Sequence, residues 1–105
     1  MKTTLYLKSQ GGKYHATALY VDGLIKVRKG SIVNTTLADH IRGGNKARSY
    51  LENRDYVDEL GVVLKDCEFK SPSTAAQFVT GNSTNGNIAW KDKEGKKLKE
   101  LLVEK

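Results

Sequence analysis

The sequence predicts a single α+β domain over residues 1–105, built from a mainly antiparallel sheet with two or three packed helices. Three observations predict it: alternating apolar residues around glycine turns near the start, a helical apolar stripe over residues 46–60, and a Ser-Pro-Ser helix start at residue 71. A chain of 105 residues suits one domain with a modest core.

Strands dominate the first third of the chain. Residues 3–9 alternate apolar and polar side chains, residues 14–21 are rich in aromatic and β-branched types, and both patterns predict strands. Residues 10–12 form a turn, and Asp22-Gly23 between Val21 and Leu24 predicts a tight hairpin. The third strand then runs over residues 24–29 and continues to about residue 30. Residues 31–45 are predicted to be a loop with one helical turn at most.

The longest predicted helix covers residues 46–60. Its apolar residues fall on one stripe at helical spacing: Ala47, Tyr50, Leu51, Val57 and Leu60. Arg54 lies at the centre of that stripe and must extend to solvent or pair with an acid. Asn53 and Asp55 are weak helix formers where a break is possible, and Gly61 suits the left-handed residue after the helix.

A fourth strand is predicted over residues 62–69, followed by a helix that begins at Pro72. Ser71 is the expected N-cap, and Gly81 is the expected stop. The buried side of this helix is expected to comprise Ala75, Ala76, Phe78 and Val79. Residues 85–86 predict a turn, residues 87–91 a short strand, residues 92–95 a charged turn and residues 97–103 a last helix.

The positive charge is concentrated in the first half. Of a net charge of +6, residues 1–50 hold nine Lys and Arg against two Asp, whereas the rest is close to neutral. Such asymmetry indicates a polyanionic partner. No apolar run is long enough for a membrane span or a secretory signal, and a single cysteine cannot form an internal disulfide, so we expect a cytoplasmic protein without a membrane partner.

The titratable residues show no catalytic pattern. His15, His40 and Cys67 lack the spacing of a metal site or a nucleophile-histidine pair. The carboxylates of Asp55 and Asp58 with Glu59 suit a solvated helix surface. The sequence therefore predicts no catalytic residue, metal site or cofactor, and a function other than catalysis.

Basic residues near aromatic ones form the candidate nucleic-acid site, because lysine and arginine neutralise phosphates and aromatic rings stack on bases. Tyr6, Tyr14 and Tyr20 are expected to be partly exposed among them. The predicted phosphate contacts are Lys8, Lys13, Lys26, Arg28, Lys29, Arg42, Lys46 and Arg48.

The start of the second helix offers a weaker anion site. Free N–H groups and the positive end of the helix dipole at Ser71, Ser73 and Thr74 favour a phosphate, although capping by Ser71 explains the same residues. Trp90 and Phe78 fit the core better than a base-stacking role.

Residues 66–76, Gly81-Asn82-Ser83, Asn85-Gly86 and Trp90-Lys91 together resemble the bacterial domain family DUF4357, whose members often carry Phe-x-Ser-Pro-Ser-x-Ala-Ala, then Gly-x-x-x-Asn-Gly and a tryptophan. Residues 23–31 resemble that family's hairpin and Lys-Gly-Ser turn, and residues 60–63 its helix exit. The resemblance spans about residues 14–102.

The resemblance implies an accessory domain that is often C-terminal to GIY-YIG nuclease domains and is similar to the RAMA domain of restriction and modification systems. It therefore implies a non-enzymatic, DNA-binding or DNA-associated role. The alternative is a protein-interaction module that docks a partner nuclease or methylase. The paired Gly-Ile-Tyr and Tyr-Ile-Gly motifs of the nuclease do not occur here, and the chain is either free-standing or a piece of a longer protein.

Overall fold

The structure is a computed structural model that describes residues 2–9, 11–34, 44–82 and 84–103. It contains a four-stranded antiparallel sheet whose strands lie side by side in chain order, and four helices within the described residues. The strands are β1 (Lys2–Lys8), β2 (His15–Val21), β3 (Leu24–Val27) and β4 (Cys67–Phe69). The helices are α1 (Gly44–Glu52), α2 (Pro72–Thr80), α3 (Gly86–Ala89) and α4 (Leu98–Val103). The predicted α+β class is confirmed.

The β2–β3 hairpin closes at the predicted Asp22-Gly23 pair. Both residues have positive φ, 48° and 91°, which is the mirror-image turn that matches the twist of two paired strands. Val21 and Leu24 are register partners on either side of the turn. The hairpin prediction is therefore correct in position and in turn chemistry.

The third and fourth strands are shorter than predicted. β3 ends at Val27, and the chain turns at Gly30, whose φ is 90°. Residues 62–69 form a strand only at the end, because the Asp58 carboxylate accepts hydrogen bonds from the backbone N–H groups of Leu60 and Val62 and fixes a turn there.

The first described helix ends at Glu52, so the predicted extent to residue 60 is wrong. The Asn53 side chain accepts a hydrogen bond from the backbone of Asp55 at 2.9 Å, a local bond that competes with helix continuation. Val57 is buried as expected, but through a bridge to Val63. Leu60 is 79% exposed. Gly61 has the expected positive φ, yet it closes this turn rather than the helix.

Helix α2 agrees with its prediction at both ends. Ser71 caps the N-terminus by accepting from the Thr74 N–H, Pro72 is the first helical residue, and Gly81 has a φ of 76° at the C-terminus. The expected apolar residues are all buried. Tyr50 of α1 packs edge-on against Phe69 of β4 and Phe78 of α2, which joins the helical layer to the sheet.

The strand predicted over residues 87–91 is instead helix α3 followed by Lys91, which forms isolated bridges to Tyr6 and to Lys97. The Asn85 side chain caps α3 by accepting from the Asn87 N–H, so the Asn-Gly pair starts a helix rather than forming the predicted turn before a strand. Trp90 lies in the core with no exposed surface, as expected, and its indole N–H donates to the Pro72 carbonyl at 3.0 Å.

One face of the sheet forms the core with the helices. Alternate residues point to this face: Leu5, Leu7, Ala16, Ala18, Tyr20, Ile25, Val27, Cys67 and Phe69. Gly86 lies where α3 crosses the first turn of α2. A Cβ atom at Gly86 would overlap the carbonyl group of Pro72 and the nitrogen of Ser73.

We expect Gly86→Ala to destabilise the protein by about 2 to 3 kcal/mol, because the clash involves backbone atoms that cannot rotate away. Chemical denaturation monitored by circular dichroism measures the change.

Gly11→Ala is the matched control, since nothing lies within 4 Å of a Cβ at that position. We expect it to change stability by less than about 0.5 kcal/mol. Equal stability of the two variants would contradict the packing of α3 on α2.

Candidate nucleic-acid interface

The second face of the sheet is not covered by any described helix. We call it the outer face. Its side chains alternate with the buried ones: Lys2, Thr4, Tyr6, Lys8, His15, Thr17, Leu19, Val21, Leu24, Lys26 and Glu68. Thr17, Leu19, Val21 and Lys26 are half-buried by their neighbours, and the rest are exposed. An open sheet face of this kind is available for a partner.

Strand register places the outer-face residues in rows across the sheet. Thr4, Leu19, Lys26 and Glu68 form one row, since each is the register partner of the next. Lys26 is therefore the cross-strand neighbour of Glu68, and their charges have opposite signs, which favours this pairing.

The segment after β3 brings two more cations to the sheet. The Arg28 N–H donates to the Thr17 carbonyl at 2.8 Å, which extends the ladder by one pair. Asp66 holds this segment, because its carboxylate lies 3.6 Å from the Arg28 Nε and accepts a hydrogen bond from the Lys29 N–H at 2.8 Å. Both side chains of the ion pair are substantially exposed, so the pair orients Arg28 more than it stabilises the fold.

The predicted phosphate contacts divide between two layers. Lys8, Lys26 and Arg28 lie on or beside the outer face. Lys13 lies in the β1–β2 turn and Lys29 in the turn after β3, both exposed. Lys46 and Arg48 are on α1, in the helical layer, where the Lys46 ammonium lies 5.1 Å from the centre of the Tyr50 ring. Arg42 lies outside the described residues. The structure thus places Lys8, Lys13, Lys26, Arg28 and Lys29 in the sheet or its turns and Lys46 and Arg48 in the helical layer.

Of the three tyrosines expected to be partly exposed, Tyr6 is on the outer face with 36% of its surface exposed. Tyr14 is half-buried against the core. Tyr20 is buried, with 7% of its surface exposed. The expectation for it was wrong, because Tyr20 points to the same face of β2 as Ala16 and Ala18, which is the core face.

Sequence reasoning missed Lys91 as a neighbour of Tyr6. The Tyr6 N–H donates to the Lys91 carbonyl at 2.7 Å, and the Lys91 N–H donates to the Tyr6 carbonyl at 3.1 Å. Residues paired in this way point to the same side, so Lys91 joins the outer face. No pattern of neighbouring residues in the sequence predicts that Tyr6 and Lys91 pair, because they are far apart in the chain. Lys2 was also missed, although the alternation of Thr4, Tyr6 and Lys8 could have identified it.

Two open clefts lie on either side of Tyr6, and the turn at residues 92–95 contributes to both. The first has a volume of about 640 Å³ and is lined by Lys2, Thr3, Thr4, Tyr6, Leu19, Asp92, Lys93 and Glu94. The second has a volume of about 610 Å³ and is lined by Tyr6, Leu7, Lys8, Ser9, His15, Ala89, Lys91, Asp92, Lys93 and Gly95.

The predicted anion site at the start of α2 has internal partners. The Ser71 hydroxyl accepts from the Thr74 N–H and lies 3.1 Å from the Thr74 hydroxyl. The Ser73 hydroxyl accepts from the Gly86 N–H at 3.0 Å. These contacts are those of a capped and packed helix start. Anion binding by Ser71, Ser73 and Thr74 stays a prediction.

Cys67 is the single cysteine, and it is buried in β4. Burial, with a smaller contribution from the nearby Asp66 carboxylate, raises the pKa of its thiol to about 12. The described residues contain no group of three or more His, Cys, Asp and Glu that could hold a metal ion. None of the described helices has the length and apolar character needed to cross a membrane.

Comparison with known proteins identifies a family. The model of the family DUF4357, described as a domain of unknown function, matches residues 5–102. The matched segment begins within β1 and ends within α4, so it contains most of the described sheet and all of its buried core residues. No curated protein matches the chain. No solved structure matches it either.

We expect Cys67 to resist alkylation by iodoacetamide at pH 8, because a thiol with a pKa of about 12 is almost entirely protonated there. Mass spectrometry of the native and guanidinium-unfolded protein measures the modification. Rapid modification of the folded chain would contradict the burial of this thiol.

We expect Ser71→Ala to lower the stability by about 1 kcal/mol through loss of the N-cap, measured by chemical denaturation. Ser49→Ala, at an exposed position of α1, is the matched control. If Ser71 acts only as a cap, neither variant changes the affinity for DNA at a protein concentration where both are folded. A selective loss of affinity in Ser71→Ala would instead support the anion site.

Proposed function

The chain belongs to the DUF4357 family, and we propose that it is a non-enzymatic accessory domain that binds DNA with the outer face of its sheet. The observation that carries the proposal is the open outer face, which gathers cations around the exposed ring of Tyr6. Lysine and arginine contacts to phosphates supply most of the affinity of sequence-independent DNA binding.

The cations of this surface outnumber its acids. Lys2, Lys8, Lys26, Arg28 and Lys91 lie on or beside the outer face, and Lys13 and Lys29 lie in the adjoining turns. Two of the nearby acids already face cations, since Asp66 pairs with Arg28 and Glu68 lies opposite Lys26. The Asp92 carboxylate accepts hydrogen bonds from the backbone N–H groups of Glu94 and Lys96 and holds its own turn.

The length of β1 suits a nucleic-acid backbone. Lys2 and Lys8 are at opposite ends of this strand, which places their Cα atoms about 20 Å apart at 3.3 Å per residue. One strand of DNA has a phosphate for about each 3.4 Å of axis, so this face spans about six phosphates.

A second candidate function is a protein-interaction module that docks a partner nuclease or methylase. The observation that favours it is a group of exposed apolar side chains near the bridge between Ile32 and Val62. Ile32 is 43% exposed, Leu64 45% and Leu60 79%. Ile32 pairs with His15 and so lies in the same row as Lys8, whereas Leu60 and Leu64 flank Val62 on the far side of Ile32. Variants of those two leucines can therefore separate the two functions.

We expect the double variant Lys8→Glu/Lys26→Glu to bind DNA about tenfold more weakly or worse at 50 mM salt. We also expect the slope of log affinity against log salt to fall by about 2, because each phosphate contact contributes about 0.9. Fluorescence anisotropy with a labelled oligonucleotide and duplex measures both quantities.

The matched control is Lys65→Glu/Lys99→Glu, which makes the same change of charge at two exposed positions, one before β4 and one in α4, that are not among the predicted phosphate contacts. We expect it to retain most of the affinity and the salt slope. Equal losses in both variants would show that only net charge matters. If the wild-type chain binds no DNA at low salt, the proposal fails. A stable partner protein that survives nuclease treatment and is lost in Leu60→Asp/Leu64→Asp would then favour the second candidate.

A further inference from the structure

We infer that Tyr6 is a stacking platform for unpaired bases, and that the two clefts beside it receive neighbouring nucleotides of a single strand. This inference rests on the proposed function and specifies its ligand as single-stranded nucleic acid. Three features of the described residues carry it: the position of the ring, the shape around it and the placement of charge.

The ring is held on a rigid part of the sheet. β1 pairs with β2 on one side, where Tyr6 is the register partner of Thr17, and with Lys91 on the other through two hydrogen bonds. A side chain on a strand paired on both edges is placed more accurately than one on a loop. Thr4 and Thr17, two of its neighbours on the face, have short side chains, and Tyr6 keeps 36% of its surface exposed.

The clefts give the ring two accessible sides. One extends along β1 toward Thr4 and Lys2, and the other toward Lys8 and His15. Their volumes of about 640 and 610 Å³ lie in the range of small-molecule sites. An unpaired base can enter such a cleft and stack on the ring, whereas the bases of a duplex are already stacked and shielded by their backbone.

Cations lie at the outer ends and along one side of the pair of clefts. Lys2 lines the first cleft together with the acidic residues Asp92 and Glu94, Lys8 and Lys91 line the second, and Lys93 and Asp92 line both. The excess of cations over acids therefore lies in the second cleft. Phosphates on either side of stacked bases would therefore meet ammonium groups. An aromatic ring between cations is the arrangement that binds single strands with little sequence preference.

The test compares wild-type protein, Tyr6→Ala and Tyr6→Phe by fluorescence anisotropy at 50 mM salt. The probes are labelled 12-mers of deoxythymidine and of uridine, and a 12-base-pair duplex. We expect the wild type to bind the single strands more tightly than the duplex. Tyr6→Ala should bind the single strands about 5- to 100-fold more weakly, with its salt slope unchanged because no charge is removed. Tyr6→Phe should remain within about threefold of wild type.

Thermal unfolding checks that the variants fold, and Tyr6→Leu replaces Tyr6→Ala if the latter does not. Leu60→Ala, which removes apolar surface at an exposed turn, should bind as wild type does. Wild-type preference for the duplex, or full single-strand affinity in folded Tyr6→Ala or Tyr6→Leu, would overturn the inference and leave the proposed function standing. Absence of binding to all three probes would overturn both. The two single-stranded probes distinguish DNA from RNA as the source of the strand.

Discussion

Each edge strand of the sheet is bonded at one residue by a group from another part of the chain, and these two contacts determine what surrounds the outer face. Unpaired edges expose N–H and C=O groups that invite aggregation. At β4, the Tyr50 hydroxyl bonds to both backbone groups of Glu68. It donates to the carbonyl and accepts from the N–H, each at 3.3 Å. At β1, Lys91 exchanges two backbone hydrogen bonds with Tyr6. The second contact also places the turn at residues 92–95 beside Tyr6 and so creates both clefts.

The buried indole of Trp90 fixes the segment that makes this contact. Its side chain donates to Pro72 in the first turn of α2, and its backbone bonds with Gly86 on one side and with Leu98 on the other. Lys91 is the next residue, and its direction toward β1 follows from these contacts. The absence of a side chain at Gly86 allows α3 to lie against α2. Residues that identify the family therefore act mainly as structure, and they position the candidate interface without belonging to it.

Features encoded by neighbouring residues could be predicted from the sequence. The Asp22-Gly23 hairpin and the Ser71 cap are local, and their chemistry is unambiguous. The sequence indicated the end of α1 only as a possible break. An apolar residue such as Val57 can be buried by a helix or by a strand-like bridge, and in the structure it is buried by the bridge to Val63. The Asn85-Gly86 pair suits a turn or a helix start, and packing of α3 on α2 favours the helix start. For the site, alternation along β1 identified Lys8, but the neighbourhood of Tyr6 depends on a tertiary contact with Lys91.

The pairing of Tyr6 with Lys91 also governs the order in which the domain can assemble. The β1–β2–β3 meander needs only local contacts, whereas this pair joins residues about 85 positions apart and closes a loop that contains most of the core. During synthesis, the first strand therefore emerges long before the segment that covers its free edge. The two clefts beside Tyr6 therefore depend on a contact that cannot form until residue 91 has been synthesised.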